Sequence, residues 1–227
     1  MRSRASRASQ RCGSHGSSVG FVYVARHGET EWNRAGRYQG QRESMLTSIG
    51  HSQAHALAHA FDGSALGRIV SSPLERCVRT AEPLAARRGF TVETDALLLE
   101  IDHGDWEGRL RSEIEAEDPE LLQTWRERPE RVQFRGGERL RDVLERWRTF
   151  IRSLDGKTNV VVVTHDVLVR IAILEATGRP LSQLWQPRVV NGGFATLWAG
   201  DEGLQLRQEC SAGHLKDLVV DVAQQAL

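Results

Sequence analysis

The chain has 227 residues and carries 30 Lys plus Arg against 30 Asp plus Glu, a formal net charge of zero. That length suits one α/β domain with a sizeable core, and the charge balance offers no global field to draw nucleic acid or an anionic membrane. Cys12, Cys77 and Cys210 lie far apart with no CxxC spacing, which speaks against a disulfide framework or a cysteine zinc site and fits a reducing, cytoplasmic compartment; no apolar run approaches the ~20 residues of a membrane helix.

Residues 1–18 carry Arg2, Arg4, Arg7 and Arg11, many serines and no acid. They hold no apolar stretch of the kind a secretory signal needs and read as a disordered basic tail, with the ordered domain spanning residues 19–227. Residues 19–25 (VGFVYVA) form a short apolar, β-branched and aromatic run, a buried strand. It stops at the polar segment Arg26-His27-Gly28-Glu29-Thr30, at the carboxyl end of that strand, where open α/β sheets bind ligands. Residues 47–61 have helical spacing, with Ala54, Leu57, Ala58 and Phe61 on one face. Residues 68–71 (RIVS) predict a second strand. Ser72-Pro73 then opens a helix to about Arg87, with a kink or early end expected at Pro83. Residues 90–93 (FTVE) predict a third strand. Residues 109–154 are charged and helical in character, broken at Pro119, Pro129 and Gly136-Gly137; residues 109–136 would form a small helical cap. Residues 159–164 (NVVVVT) are the strongest strand, continuously apolar and hence covered on both faces. His165 follows it directly, at the start of a helix over residues 167–177. Two final strands flank the turn Gly200-Asp201-Glu202-Gly203. Alternating strands and helices predict a three-layer α/β/α sandwich with a mostly parallel central sheet.

Two histidines, His27 and His165, each follow an apolar strand, and neighbouring strand ends would put both imidazoles in one crevice. Arg26 and Arg76 are candidates for the same crevice, because an arginine fork matches phosphate oxygens. A histidine nucleophile needs a neutral nitrogen aimed at phosphorus and cations on the equatorial oxygens. A carboxyl group of raised pKa must then protonate the leaving oxygen. Glu100, after Leu97-Leu98-Leu99, is the candidate, with Asp102, Asp105 and Glu107 close by.

Five separated segments carry a resemblance: RHGETEWN at residues 26–33, RYQG at 37–40, SSPLERCVRT at 71–80, EIDHGDWEG at 100–108 and VVVTHD at 161–166. In that order the chain resembles the histidine phosphatase superfamily, also called phosphoglycerate mutase-like, over residues 21–215. The resemblance implies that His27 accepts the phosphoryl group, that Arg26, Arg76 and His165 complete the phosphate pocket, and that Glu100 is the proton donor that later activates water. Asn33, Gln39 and Gly40 correspond to positions that help hold the phosphate. No metal and no cofactor are implied, and the expected partner is a small phosphorylated metabolite; a homodimer stays open. Two features depart from the pattern. Asp166 follows His165 where glycine is usual, placing a negative charge beside an anion pocket. Glu43-Ser44-Met45-Leu46-Thr47 replaces the family's Asp-x-Pro-Leu-Thr run.

The implied function is a metal-independent phosphomonoesterase working through phosphohistidine. A cofactor-dependent phosphoglycerate mutase is the alternative. It is disfavoured because the segment holding Glu113, Glu115, Glu117 and Asp118 is too acidic to clamp a second phosphate. A catalytically silent phosphate-binding module, motivated by Asp166, is a third reading. His51, His55 and His59 recur every four residues, but beside Ala54, Leu57, Ala58 and Phe61 they read as a polar helix flank rather than metal ligands. His103 reads as part of a loop next to the pocket. Trp125 and Trp147 read as packing, as does Trp106 by default.

Overall fold

The computed structural model describes residues 20–200, 203–221 and 225–226. The N-terminal tail, Cys12 and the Asp201-Glu202 turn lie outside the described residues. Among the described residues six strands form one sheet: β1 (Gly20–Arg26), β2 (Arg68–Ser71), β3 (Glu93–Thr94), β4 (Val160–Thr164), β5 (Phe194–Gly200) and β6 (Gly203–Ser211), in the order β3-β2-β4-β1-β5-β6. The first four are parallel. β5 runs antiparallel to β1, and β6 to β5. The sheet is therefore mostly parallel with an antiparallel hairpin at one edge. The third strand is shorter than the sequence suggests: Phe90 and Val92 pack as irregular chain against the core, and only Glu93 and Thr94 pair with β2.

Among the described residues seven α-helices accompany the strands: α1 (Glu31–Ala35), α2 (Ser48–Ala60), α3 (Glu75–Arg88), α4 (Arg111–Glu117), α5 (Pro119–Glu127), α6 (Leu140–Ser153) and α7 (Asp166–Thr177). Every residue of β4 is buried, and its alternation shows why a continuous apolar run was needed. Val161 and Val163 face one core with Ala25, Ile69, Leu57 and Phe61. Val160 and Val162 face the other, with Val22, Val24, Trp147 and Ile171. Helices α2 and α3 cover the first face, and α6 and α7 the second, which makes three layers. Pro119 does end a helix, by starting α5 at its first turn. Pro83 does not end α3, which runs on to Arg88 and closes on Gly89 in the left-handed region. That helix begins at Glu75, later than Ser72-Pro73 suggests, because Ser72 remains in the crevice and Leu74 takes the cap position. No helix among the described residues is long and apolar enough to cross a membrane.

Candidate active site

Three parallel strands end side by side, and their next residues form the floor of a crevice. β1 and β4 are in register at Arg26 and Thr164, and the backbone N–H of His27 donates to the Thr164 carbonyl at 2.9 Å. The Ser72 N–H donates to Val163 at 2.9 Å. His27, His165 and Ser72 are thus brought together by strand pairing alone. The ring centroids of His27 and His165 are 5.3 Å apart.

A buried cavity at this point is lined by Arg26, His27, Asn33, Gln39, Gly40, Arg76 and Glu100, all expected from the sequence, and also by His103, Asp166, Val167 and Ala226. His27 Nδ1 lies 2.7 Å from the Gly28 carbonyl oxygen. A carbonyl only accepts, so Nδ1 carries the hydrogen and Nε2 keeps a free lone pair. Burial holds the His27 pKa well below the ordinary histidine value, and the charges of Arg76 and Arg26 push it the same way.

Arg76 is 1% exposed and fixed by three of its five N–H donors. Its Nε donates to His165 Nδ1 at 3.3 Å, one terminal nitrogen to the Arg42 carbonyl at 2.7 Å, and the other to the Gly40 carbonyl at 2.6 Å. His165, accepting at Nδ1, carries its hydrogen on Nε2, which lies 2.8 Å from Ser72 Oγ. His165 therefore sits behind Arg76 rather than on the cavity wall. Arg26 is equally buried, yet its Nε and one terminal nitrogen have no hydrogen-bond partner. That terminal nitrogen lies 3.2 Å from the Asp166 carboxylate as an ion pair, and Nε stays available to a ligand. The other terminal nitrogen donates to Gln225 Oε1 at 2.5 Å.

Glu100 is buried, and burial raises its carboxyl pKa to about 7. Asp166 adds to this rise, and the value of about 7 already includes the opposing N–H groups of Ile101 (2.8 Å) and Val167 (3.5 Å) and the charge of Arg76. The group is a carboxylic acid near neutrality, poised to give up a proton.

Asn33 and Gln39 line the cavity, but their carboxamide oxygens are bound within the loop after β1. Asn33 Oδ1 accepts from the Thr30 N–H and hydroxyl at 3.1 Å each, and Gln39 Oε1 lies 3.0 Å from Thr30 Oγ1. With the Thr30 hydroxyl accepting from the Asn33 N–H, this makes the capping box of α1. The resemblance pointed to Asn33 as a phosphate position without showing this second duty. Gly40 has φ +51°, in the left-handed region, and its carbonyl holds Arg76.

Several contributors escaped the sequence reading. Asn191, fully buried, donates to the His27 carbonyl at 3.2 Å. Gln225 and Ala226 come from the far end of the chain. No motif marks these positions. His103 is 4% exposed, and neither ring nitrogen has a hydrogen-bond partner. It is packed by Tyr38, Phe134 and Trp125 at 5.2, 4.8 and 5.9 Å between ring centroids. Its loop position next to the pocket is as expected. The side chains of Trp125 and Trp147 are fully buried in the larger core, and Trp106 packs on Tyr38 and Phe134. His51, His55 and His59 all lie on the exposed flank of α2.

An open α/β sheet whose parallel strand ends gather two arginines, a neutral histidine and a protonated acid defines an enzyme that handles phosphate esters. The chain belongs to the histidine phosphatase superfamily (branch 1), whose family model matches residues 22–210. It is 36% identical over 179 residues to "Phosphoserine phosphatase 1" of Hydrogenobacter thermophilus, covering 78% of this chain and 85% of that protein. It is 27% identical over 212 residues to "Probable phosphoglycerate mutase GpmB" of Erwinia tasmaniensis, covering 89% and 98%. Among solved structures, Bacillus stearothermophilus YhfR superposes with a TM-score of 0.82 at 29% identity, covering 87% of this chain and all of that one. Membership and the phosphatase relatives place the chain among the phosphoric monoester hydrolases.

Proposed function

We propose that this enzyme hydrolyses a small phosphorylated metabolite by transferring the phosphoryl group to Nε2 of His27. The observation that carries the assignment is the hydrogen bond from His27 Nδ1 to Gly28, which leaves Nε2 as the nucleophilic nitrogen beside two buried arginines. Nε2 attacks phosphorus while Arg26 and Arg76 meet the charge on the equatorial oxygens. His165 serves the site by orienting Arg76. Glu100 donates its proton to the leaving oxygen, and the phosphorus–oxygen bond breaks as the phosphorus–nitrogen bond forms. The Glu100 carboxylate then takes a proton from water, which attacks phosphohistidine and releases phosphate. No step calls for a metal. His103, with unpartnered nitrogens on the cavity wall, faces the substrate, and the segment holding α4 and α5 selects it. Free Cys77 and Cys210 support a cytoplasmic setting.

The mutase-named relative makes transfer between two hydroxyls the rival reading. In the cap, Glu115 and Glu117 are exposed and pair with Arg126 and Arg109, so they offer no clamp for a second phosphate. Quenching with a phosphorylated substrate is expected to trap acid-labile phosphate on His27, and His27→Ala to abolish both labelling and phosphate release. Wild-type turnover by His27→Ala would overturn the reading. A panel including phosphoserine, sugar phosphates and 3-phosphoglycerate, scored for free phosphate and for 2-phosphoglycerate, separates hydrolysis from transfer.

A further inference from the structure

Asp166 is one of the two places at which the sequence departs from the family pattern it resembles, and its surroundings give it a task. Its carboxylate is 1% exposed and lies between two arginines. Oδ1 is 3.2 Å from a terminal nitrogen of Arg26, and Oδ2 is 2.5 Å from Nε of Arg170. Arg170 is itself anchored, donating to the Pro187 carbonyl at 2.6 Å and lying over the Trp185 ring at 5.2 Å. A continuous buried chain therefore runs from the Pro187 carbonyl through Arg170 and Asp166 to Arg26. The Arg26 terminal nitrogen facing Asp166 makes this ion pair without a hydrogen bond, and Nε has no protein acceptor. Apart from Gln225, Asp166 is the group that fixes this guanidinium, and it does so from the first turn of α7, one residue after His165.

We propose that Asp166, backed by Arg170, is a positioning residue that holds the Arg26 guanidinium in place beside His27. The proposal rests on the phosphohistidine reading above. It reverses the expectation raised by charge alone, in which an extra carboxylate beside an anion site only weakens phosphate binding. A buried guanidinium with no counter-charge is driven to neutralise or turn away. Burial does pull the Arg26 pKa down, and Asp166 is the foremost group opposing that pull. Asp166 also adds negative charge beside Glu100 and so favours its acid form. The charged groups facing Glu100 are Asp166 of α7, Arg76 of α3, Arg26 at the end of β1, and Arg146 of α6, which donates to the Glu100 carbonyl. Of these only Asp166 is negative.

The two accounts of Asp166 give opposite signs for Asp166→Asn. If Asp166 positions Arg26, hydrolysis of a phosphomonoester loses at least tenfold in kcat/KM, inhibition by inorganic phosphate weakens, and the alkaline limb of the pH profile moves to lower pH. Tighter phosphate inhibition, or unchanged kinetics with an unmoved alkaline limb, overturns the proposal. Asp166→Asn leaves Arg170 as a buried cation without a partner, so Asp166→Asn/Arg170→Met removes both charges and is read by the same criteria if the single variant does not fold. Arg170→Met alone keeps Asp166 and is expected to lose less than Asp166→Asn; an equal or greater loss assigns the role to Arg170 and rejects the proposal. His27→Ala is assayed in parallel. An inactive His27→Ala beside a wild-type-like Asp166→Asn rejects only the role of Asp166, whereas an active His27→Ala rejects the phosphohistidine reading itself.

Discussion

Glu100 and His27 share one cavity wall, and the same loss of solvent prepares them for opposite tasks. Burial disfavours whichever form is charged. For Glu100 the neutral form is the acid, so burial lifts its pKa to about 7 and keeps a proton available. For His27 the neutral form is the base, so burial and the two arginines hold its pKa well below the ordinary histidine value and keep Nε2 unprotonated near neutrality. The sign of the pH dependence follows. Raising the pH through about 7 removes the proton Glu100 must donate, whereas lowering it from 7 leaves both residues in their working forms until the substrate phosphate itself protonates, near pH ~6. The kcat/KM for an alkyl phosphate is expected to fall on the alkaline side with a midpoint of about 7. Glu100→Gln should remove that limb and cost roughly 10²- to 10⁴-fold on an alkyl phosphate. The cost should be much smaller on p-nitrophenyl phosphate, whose leaving oxygen needs no proton. Equal losses on both esters would deny Glu100 the acid role. In the sequence only its place in the motif order sets this carboxyl apart, with three other acids, Asp102, Asp105 and Glu107, within seven residues. The choice could not be made on charge, because what distinguishes Glu100 is its burial, and that depends on α6, α7 and the loop after β1 closing around it.

At the scale of elements, the loop bearing His27 lies directly on the first turn of α2, backbone against backbone. A Cβ on Gly28 would stand 2.5 Å from the Gly50 carbonyl oxygen, and a Cβ on Gly50 would stand 2.1 Å from the carbonyl oxygen of Glu29. Helix propensity alone predicts that Gly50→Ala gains about 1 kcal/mol, since Gly50 lies within α2. The close approach predicts the other sign, because the atom met is backbone and cannot swing aside. Overpacking of this kind costs about 1–3 kcal/mol, so we expect Gly50→Ala to lower the denaturant midpoint. The displaced loop should also lower kcat/KM by more than tenfold, since small displacements of catalytic groups are amplified in rate. A raised midpoint with intact activity would show that the loop yields. The strands and their ends were legible because β-branched runs such as residues 160–164 have few alternatives, and the polar residue after each run then falls at the carboxyl edge of the sheet. Helix α1 was not legible. It is five residues long and has no apolar face to repeat; what stabilises it is the Thr30–Asn33 capping box. The third strand differs from the run at residues 90–93 for a related reason. At a sheet edge with one neighbour, pairing with β2 decides which residues extend, and propensity does not.

The whole molecule closes its site with residues from both ends of the chain. Gln225 accepts from Arg26, 199 positions away in sequence, and donates to Asn191 at 2.8 Å, while Ala226 lines the cavity. Nothing in the local sequence announces this, since a single glutamine near the end of a chain carries no pattern and its partner is set by the finished fold. The consequence is steric. The remaining free space beside His27 is about 20 Å³, room for roughly one water and too little for phosphorus with its oxygens. Substrate is therefore expected to displace the Gln225–Ala226 segment, its phosphate oxygens taking over the Arg26 donor that Gln225 occupies. Deleting residues 222–227 removes that competitor. The truncated enzyme is expected to bind inorganic phosphate and a minimal ester such as p-nitrophenyl phosphate more tightly, by about tenfold, the equivalent of one hydrogen bond to a charged group. Gln225→Ala in the full chain should reproduce part of that gain, because it removes the contact with Arg26 and leaves Ala226 in place. Weaker binding of the minimal ester in both variants would identify Gln225 instead as a group that the bound substrate needs, and the segment as a wall of the site rather than an occupant of it.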